Sequence, residues 1–325
     1  MQNVIVTGGA GYIGSHACKA LQANGFTPVT IDNLVYGHAE AVRWGPLELG
    51  DILDGTWLDE IFAKYRPVAV MHFAAFAYVG ESMSNPGKYY YNNVMGSVSL
   101  LEAMRRNHVN LMIFSSSCAT YGNVQQLPII EETTQHPINT YGYTKLICEH
   151  ILRDYQRAYG LRWTAMRYFN AAGADVQGEI GESHTPETHL IPLAILAALG
   201  KGPDLKVFGN DYDTPDGTAL RDYIHVDDLA DAHVKAITYL QNGGASTAFN
   251  LGSGKPTSVL ELIAAVTTAA GSQVPFQIAP RRDGDPRALY ASSEKAQKSL
   301  GWLPKSSEIT AIVKTAVLWH LNATY

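Results

Sequence analysis

Residues 2–14 read Gln2-Asn3-Val4-Ile5-Val6-Thr7-Gly8-Gly9-Ala10-Gly11-Tyr12-Ile13-Gly14, a β-branched run that breaks into glycines three apart and passes into a helical pattern. A strand entering a helix through Gly8, Gly11 and Gly14 brings its backbone close to a ligand, with unpaired N–H groups at the helix start around Tyr12 and Ile13. Those features suit a pyrophosphate. Asp32 ends the second expected strand, 32 minus 14 or 18 residues after Gly14, where a carboxylate can accept hydrogen bonds from a ribose diol. The same carboxylate repels a 2′-phosphate, and residues 33–38, beginning with Asn33, contain no arginine to rescue one. The expected cofactor is therefore NAD.

Working outward, short β-branched or apolar runs at 4–6, 29–31, 68–73, 111–114 and 163–166 alternate with amphipathic stretches at about 12–24, 54–65, 87–106 and 141–160. Strands apolar on both faces and separated by helices predict a parallel sheet covered on both sides, an α/β doubly wound, Rossmann-like domain over residues 1–170. Beyond it the rhythm changes. Turn-rich segments at 173–187 and 209–222 and helical patterns near 188–200, 227–241, 257–271 and 308–321 predict a smaller mixed α/β lobe over 171–325. Strand-like 205–208 and 249–251 suggest that the two lobes exchange segments.

The carboxyl ends of the expected strands carry the chemistry. Asp51 and Ile52 follow the third strand, where they would meet an adenine, and Phe73-Ala74-Ala75 places small residues across the sheet crevice. Ser115-Ser116-Ser117 emerges after the fifth strand. Downstream, Tyr141 and Lys145 are four apart at the start of a helix, so one face presents a phenol and an ammonium. A free tyrosine ionises near pH 10, too high for a base at neutral pH, but a neighbouring cation favours phenolate. Ser117 would relay the proton or hold a substrate oxygen.

Together these residues resemble the extended short-chain dehydrogenase/reductase family, and within it the sugar-nucleotide 4-epimerases. The more specific matches are Val79-Gly80-Glu81-Ser82, Asn92-Asn93-Val94, Arg167-Tyr168-Phe169-Asn170, Phe208-Gly209-Asn210-Asp211-Tyr212, Arg221-Asp222-Tyr223-Ile224-His225 and Arg281-Arg282-Asp283-Gly284-Asp285. The resemblance implies that Asn92, Ser115, Tyr168 and Phe169 lie near NAD. It also implies that Asn170, His189, Leu190, Val207, Phe208 and Tyr223 line the UDP-sugar site, with Arg221 and Arg282 on the diphosphate and Asp285 on the uridine ribose. Guanidinium forks match phosphate oxygens, which suits that role. The implied reaction interconverts UDP-glucose and UDP-galactose through a 4-keto sugar. UDP-xylose and UDP-arabinose are the alternative pair, and a non-catalytic dinucleotide sensor is the rival outside enzymes. A sugar-nucleotide 4,6-dehydratase would need a carboxylate pair where Cys118-Ala119 stand.

Three departures from the family pattern stand out. Phe76-Ala77-Tyr78 has no lysine where the family often carries one. His189 replaces a common asparagine, and Leu289 occupies the position whose size governs acceptance of N-acetylated sugars.

Composition narrows the remaining possibilities. The net charge of −6 and the absence of any basic block argue against nucleic acid or anionic membranes as partners. With 46% hydrophobic and 17% charged residues, the chain is expected to be globular rather than disordered. No secretory signal is expected at the N-terminus. The three cysteines, Cys18, Cys118 and Cys148, lack C-x-x-C spacing, so neither a disulfide framework nor a metal site is expected. The reading is a reduced, cytoplasmic protein, paired as a homodimer through the helices near 87–106 and 141–160 as the resemblance implies.

Overall fold

The computed structural model describes residues 1–282 and 285–325. Six parallel strands, β1 (Gln2–Thr7), β2 (Phe26–Asp32), β3 (Leu47–Leu49), β4 (Ala69–His72), β5 (Leu111–Ser117) and β6 (Arg162–Tyr168), lie in the order β6-β5-β4-β1-β2-β3. A seventh, Thr247–Leu251, adds beyond β6, so a segment from the second half of the chain completes the sheet.

The inner strands β1, β2, β4, β5 and β6 face two apolar layers, which is why they read as continuous hydrophobic runs, whereas edge strand β3 is partly exposed. Val4 and Val6 of β1, Met71 of β4 and Ile113 of β5 join the helices Tyr12–Ala23 and Val226–Gln241 on one face. Ile5, Val70 and Met112, paired with one another across the strands, join the helices Gly55–Tyr65, Gly96–Arg106 and Thr140–Tyr159 on the other. Strand order reverses beside β1, between β2 and β4, and a crevice opens there at the carboxyl edge.

β1, β2 and β6 run past their expected cores at both ends and β5 at its carboxyl end, because apolar periodicity ends before the hydrogen-bonded ladder does, whereas β4 is shorter than the expected 68–73. β5, for example, continues through all three serines. The helix expected at 87–106 carries a π turn at Tyr90–Met95, widening it near Asn92. The short helix Val79–Ser84 and the strand Leu220–His225 were not foreseen. The latter sits in turn-rich sequence and is held as a strand by its neighbours Asn170–Ala172, Pro256–Ser258 and Ala288–Leu289. Beside it Leu205–Phe208 pairs with Phe276–Ala279, and a separate core of Ile195, Val207, Leu262, Val266, Ile312 and Val317 packs this end. Among the described residues no helix is long and apolar enough to cross a membrane.

Candidate active site

A cavity of about 480 Å³ runs along the crevice at the carboxyl ends of β1, β2, β4, β5 and β6. Its floor is the glycine turn. Gly8 has φ +71°, and a Cβ there would come within 2.6 Å of the Ala74 nitrogen. A Cβ on Gly14 would lie 2.1 Å from the Gly8 carbonyl oxygen. No side chain caps the helix Tyr12–Ala23, and Gly11, Tyr12, Ile13 and Gly14 line the cavity, so the first-turn N–H groups are open to an anion.

Asp32 closes the adjoining end. Its carboxylate accepts from Ala10 N at 3.0 Å and Leu34 N at 2.9 Å. Burial raises its pKa, opposed by these backbone N–H bonds, which favour the ion. Asn33 lines the cavity and donates to Asp51 Oδ2 at 3.0 Å. Asp51 itself stands behind the wall, where Gly50 and Ile52 take the lining position. Phe73, Ala74 and Ala75 form the next stretch, followed by Phe76, Ala77 and Tyr78. A lysine does reach that segment, from a different element: the Lys88 ammonium lies 4.2 Å over the Phe76 ring and pairs with Glu81 at 2.7 Å. The glycine turn and the Asp32 carboxylate at the cavity's end thus fit a dinucleotide.

The three serines of β5 have different fates. Ser115 Oγ is hydrogen-bonded to the Tyr168 hydroxyl, and Ser116 donates to buried Glu149 at 2.7 Å. Ser117, accepting from Ala119 N at 3.1 Å, lines the cavity beside Tyr141. The start of the helix Thr140–Tyr159 reaches this point because Asn139 caps it through Gly142 N, 2.8 Å away, and because Gly142 lacks a side chain. A Cβ at Gly142 would press to 2.5 Å from the Ala119 carbonyl.

Burial drives the Tyr141 phenol well above its ordinary pKa, and the Tyr168 phenol beside it adds to the rise, while the Ser117 hydrogen bond works the other way. Lys145, 3% exposed, is pushed down to about 8 by its burial. Its ammonium donates to the Ser115 carbonyl at 2.7 Å and lies 5.8 Å from the Tyr141 ring centroid, so it acts on the phenol through its charge. A cation about 6 Å from a phenolate oxygen gains roughly 3 kcal/mol at an effective dielectric near 20, or about two decades in the ionisation equilibrium. Lys145 alone therefore does not make a neutral-pH base of Tyr141. A second positive charge is required.

Tyr168, Phe169 and Asn170 follow β6 into the cavity, with Asn170 donating to the Asp222 carbonyl at 2.8 Å. Tyr223, Leu190 and His189 complete the wall. The remaining residues assigned from the resemblance stand apart from this cavity. Val207 is buried in the second core. The Arg282 guanidinium stacks 3.8 Å above the Phe208 ring, and Arg221 forms an ion pair with Asp285. Asp285 borders a second cavity of about 300 Å³ with Asn123, Val124, Leu127 and Pro286.

One group escaped the sequence reading. Glu182, His184, Glu187 and His189 converge, with one ligand-type atom from each within 4.8 Å of the others. Burial alone would lower both imidazoles, but the Glu182 and Glu187 carboxylates push His184 up to about 9 and His189 to about 10. The signal lay in the spacing of residues 182, 184, 187 and 189, which an inspection confined to cysteines overlooks.

The profile of the NAD dependent epimerase/dehydratase family matches residues 4–252. A UDP-glucose 4-epimerase of Rhizobium leguminosarum bv. trifolii is 52% identical over 322 residues, covering 99% of this chain and 98% of its own. The crystal structure of a Brucella ovis UDP-glucose 4-epimerase in complex with NAD aligns with TM-score 0.96 at 55% identity, covering 98% of both chains. A Stenotrophomonas maltophila UDP-glucose 4-epimerase with bound NAD and formylated UDP-arabinopyranose aligns with TM-score 0.96 at 40% identity, covering 99% of this chain and 98% of that one. Likeness over nearly the full length, together with a glycine turn, the cavity-lining carboxylate of Asp32 and a Tyr–Ser–Lys grouping in one crevice, makes this chain a member of the NAD dependent epimerase/dehydratase family.

Proposed function

We propose that this protein is an isomerase that interconverts UDP-glucose and UDP-galactose by reversible oxidation at C4 of the sugar. The observation that carries the reading is the meeting of Tyr141, Ser117 and Lys145 with the glycine turn in one cavity. When bound, NAD supplies the acceptor and donor for the C4 hydride, and its positive ring is the second cation that the Tyr141 phenol requires. Tyr141 takes the proton of the 4-hydroxyl as the sugar is oxidised. Ser117, the one serine of the three whose hydroxyl faces neither Tyr168 nor Glu149, orients that oxygen. Lys145 holds positive charge near the phenol. The flat 4-keto sugar turns over, and Tyr141 returns the proton when the opposite face is reduced.

Turning requires that the nucleotide end stay held. The second cavity at Asp285 supports a uridine site there, with Arg221 paired to Asp285 and Arg282 stacked on Phe208 as the groups that take the diphosphate in this reading. In this reading the Arg221–Asp285 pair opens to receive the diphosphate. Residues 1–170 hold the cofactor and 171–325 supply most of the sugar-nucleotide site. Two copies pair through the helical stretch near 87–106, which includes the π turn Tyr90–Met95 and the helix Gly96–Arg106, and through the helix Thr140–Tyr159. The free cysteines Cys18, Cys118 and Cys148 support a reducing, cytoplasmic setting.

Pentose substrates are the second reading, favoured by the UDP-arabinopyranose derivative in the Stenotrophomonas maltophila structure. Leu289, packed among Tyr121, Ile129 and Phe169, leaves acceptance of N-acetylated sugars to experiment. Purified protein without added NAD is incubated in parallel with UDP-galactose, UDP-xylose and UDP-N-acetylglucosamine, and the products are separated by chromatography. UDP-glucose should form from UDP-galactose. Tyr141→Phe should retain NAD and lose on the order of 10²–10⁴ in turnover. Near-normal conversion by that variant overturns the assignment.

A further inference from the structure

The cluster in the cavity wall has a geometry that hydrogen bonding does not satisfy. His189 Nδ1 lies 3.0 Å from Glu182 Oε1 and 2.8 Å from Glu187 Oε1. His184 Nδ1 lies 3.3 Å from the same Glu182 oxygen and 3.6 Å from Glu187 Oε2. Each Nδ1 thus approaches both carboxylates. A ring nitrogen carries at most one proton, which points at one acceptor, and only the His189–Glu187 approach among the four has hydrogen-bond geometry. His184 Nδ1 is buried with no hydrogen-bond partner at all.

A single cation takes one atom from each of the four residues. A tetrahedral ion with ligands at about 2.0–2.2 Å separates neighbouring ligand atoms by roughly 3.3–3.6 Å. These approaches span 2.8–3.6 Å, those to Glu187 through its two different oxygens, and one ligand atom from each of the four residues lies within 4.8 Å of the others, so the widest separation closes by about 1 Å to complete the shell. Two carboxylates and two neutral imidazoles also balance a divalent charge. The ligands are held in place from outside: Glu187 Oε1 accepts from Thr188 N at 2.7 Å and His189 N at 2.8 Å, and Trp319 Nε1 donates to the Glu182 carbonyl at 2.9 Å.

We propose that Glu182, His184, Glu187 and His189 form a binding site for one divalent transition-metal ion of the zinc class. Four protein ligands fill a tetrahedral shell and leave no open position, so the ion is structural. It staples residues 182–189 to the start of the helix Leu190–Ala198 and fixes that part of the cavity wall. It also takes His189 away from any substrate diphosphate.

The test uses tag-free, chelator-treated protein with its NAD in place. Zinc chloride is titrated by calorimetry, and cobalt chloride is followed by its visible absorption, which is strong in a tetrahedral nitrogen and oxygen shell. One ion per chain should bind, the cobalt spectrum should be tetrahedral, and zinc should raise the thermal midpoint. His184→Asn and Glu187→Gln should each weaken zinc binding by more than about tenfold. The absence of saturable zinc uptake by the unmodified protein overturns the proposal. So does uptake that is unchanged in the His184→Asn/Glu187→Gln double variant, which would place the ion elsewhere, for instance on Cys118.

Discussion

At the scale of single residues, the site works against the stability of the fold that holds it. Lys145 is buried and its ammonium is held at about 8, against an ordinary value near 10.4. A lysine whose pKa falls on folding destabilises the protein most below the folded value, and the penalty fades as pH rises from about 8 toward the unfolded value. Lys145→Met removes that penalty, roughly 2–4 kcal/mol at pH 7, and forfeits the hydrogen bond to Ser115, worth about 1 kcal/mol. The NAD-free variant should therefore gain about 1–3 kcal/mol in urea unfolding at pH 7, with little gain left near pH 10, while turnover collapses. A less stable variant at pH 7 would mean that the contacts of Lys145 outweigh its burial. The residue types at the site were readable along the chain. Which serine keeps its hydroxyl clear of Tyr168 and Glu149 was not, because those two partners come from other elements.

At the scale of elements, glycines divide by what surrounds them. A Cβ at Gly14 would strike the Gly8 carbonyl at 2.1 Å, whereas one at Gly80, in the helix Val79–Ser84, would meet nothing within 4 Å. Gly14→Ala should cost about 2 kcal/mol or more and strip the purified protein of NAD. Gly80→Ala should be neutral or stabilising by up to about 1 kcal/mol, as expected for glycine in a helix. Thermal unfolding and the NAD content of each preparation check both. If the two variants behave alike, the turn is not held by that contact. The same logic explains what was legible here. The turn and the helix after it are local, so their spacing announced them. The strand Leu220–His225 is not legible locally because its partners lie far off along the chain, at Ala288–Leu289, 288 minus 220 or 68 residues away, and on the other side at Asn170–Ala172.

At the scale of the whole molecule, the helices proposed to pair two copies leave apolar side chains in water: Tyr91 is 63% exposed, Met95 52% and Tyr143 41%. Scattered exposed apolar groups are ordinary, but a stable dimer needs about 1,200–2,000 Å² of buried surface with an apolar centre. The Tyr91→Glu/Met95→Glu double variant should elute as a monomer in light-scattering chromatography, against a dimer for the unmodified chain. An unmodified chain that is itself monomeric removes the interface.

What the sequence determined by itself is whatever depends on neighbours along the chain. The glycine spacing makes an anion-binding turn, continuous apolar runs demand a sheet covered on both faces, and a four-residue interval puts Tyr141 and Lys145 on one helical face. Only the tertiary structure decided which groups meet across long separations. It pressed Gly142 against the Ala119 carbonyl to bring Tyr141 to Ser117, moved Lys88 over Phe76, paired Arg221 with Asp285, and folded residues 182–189 until two histidines and two glutamates shared one point. The physical reason is the same in each case. Periodicity and turn chemistry are set by bonds a few residues long, whereas these meetings are set by packing between elements that the chain brings together only when its core closes.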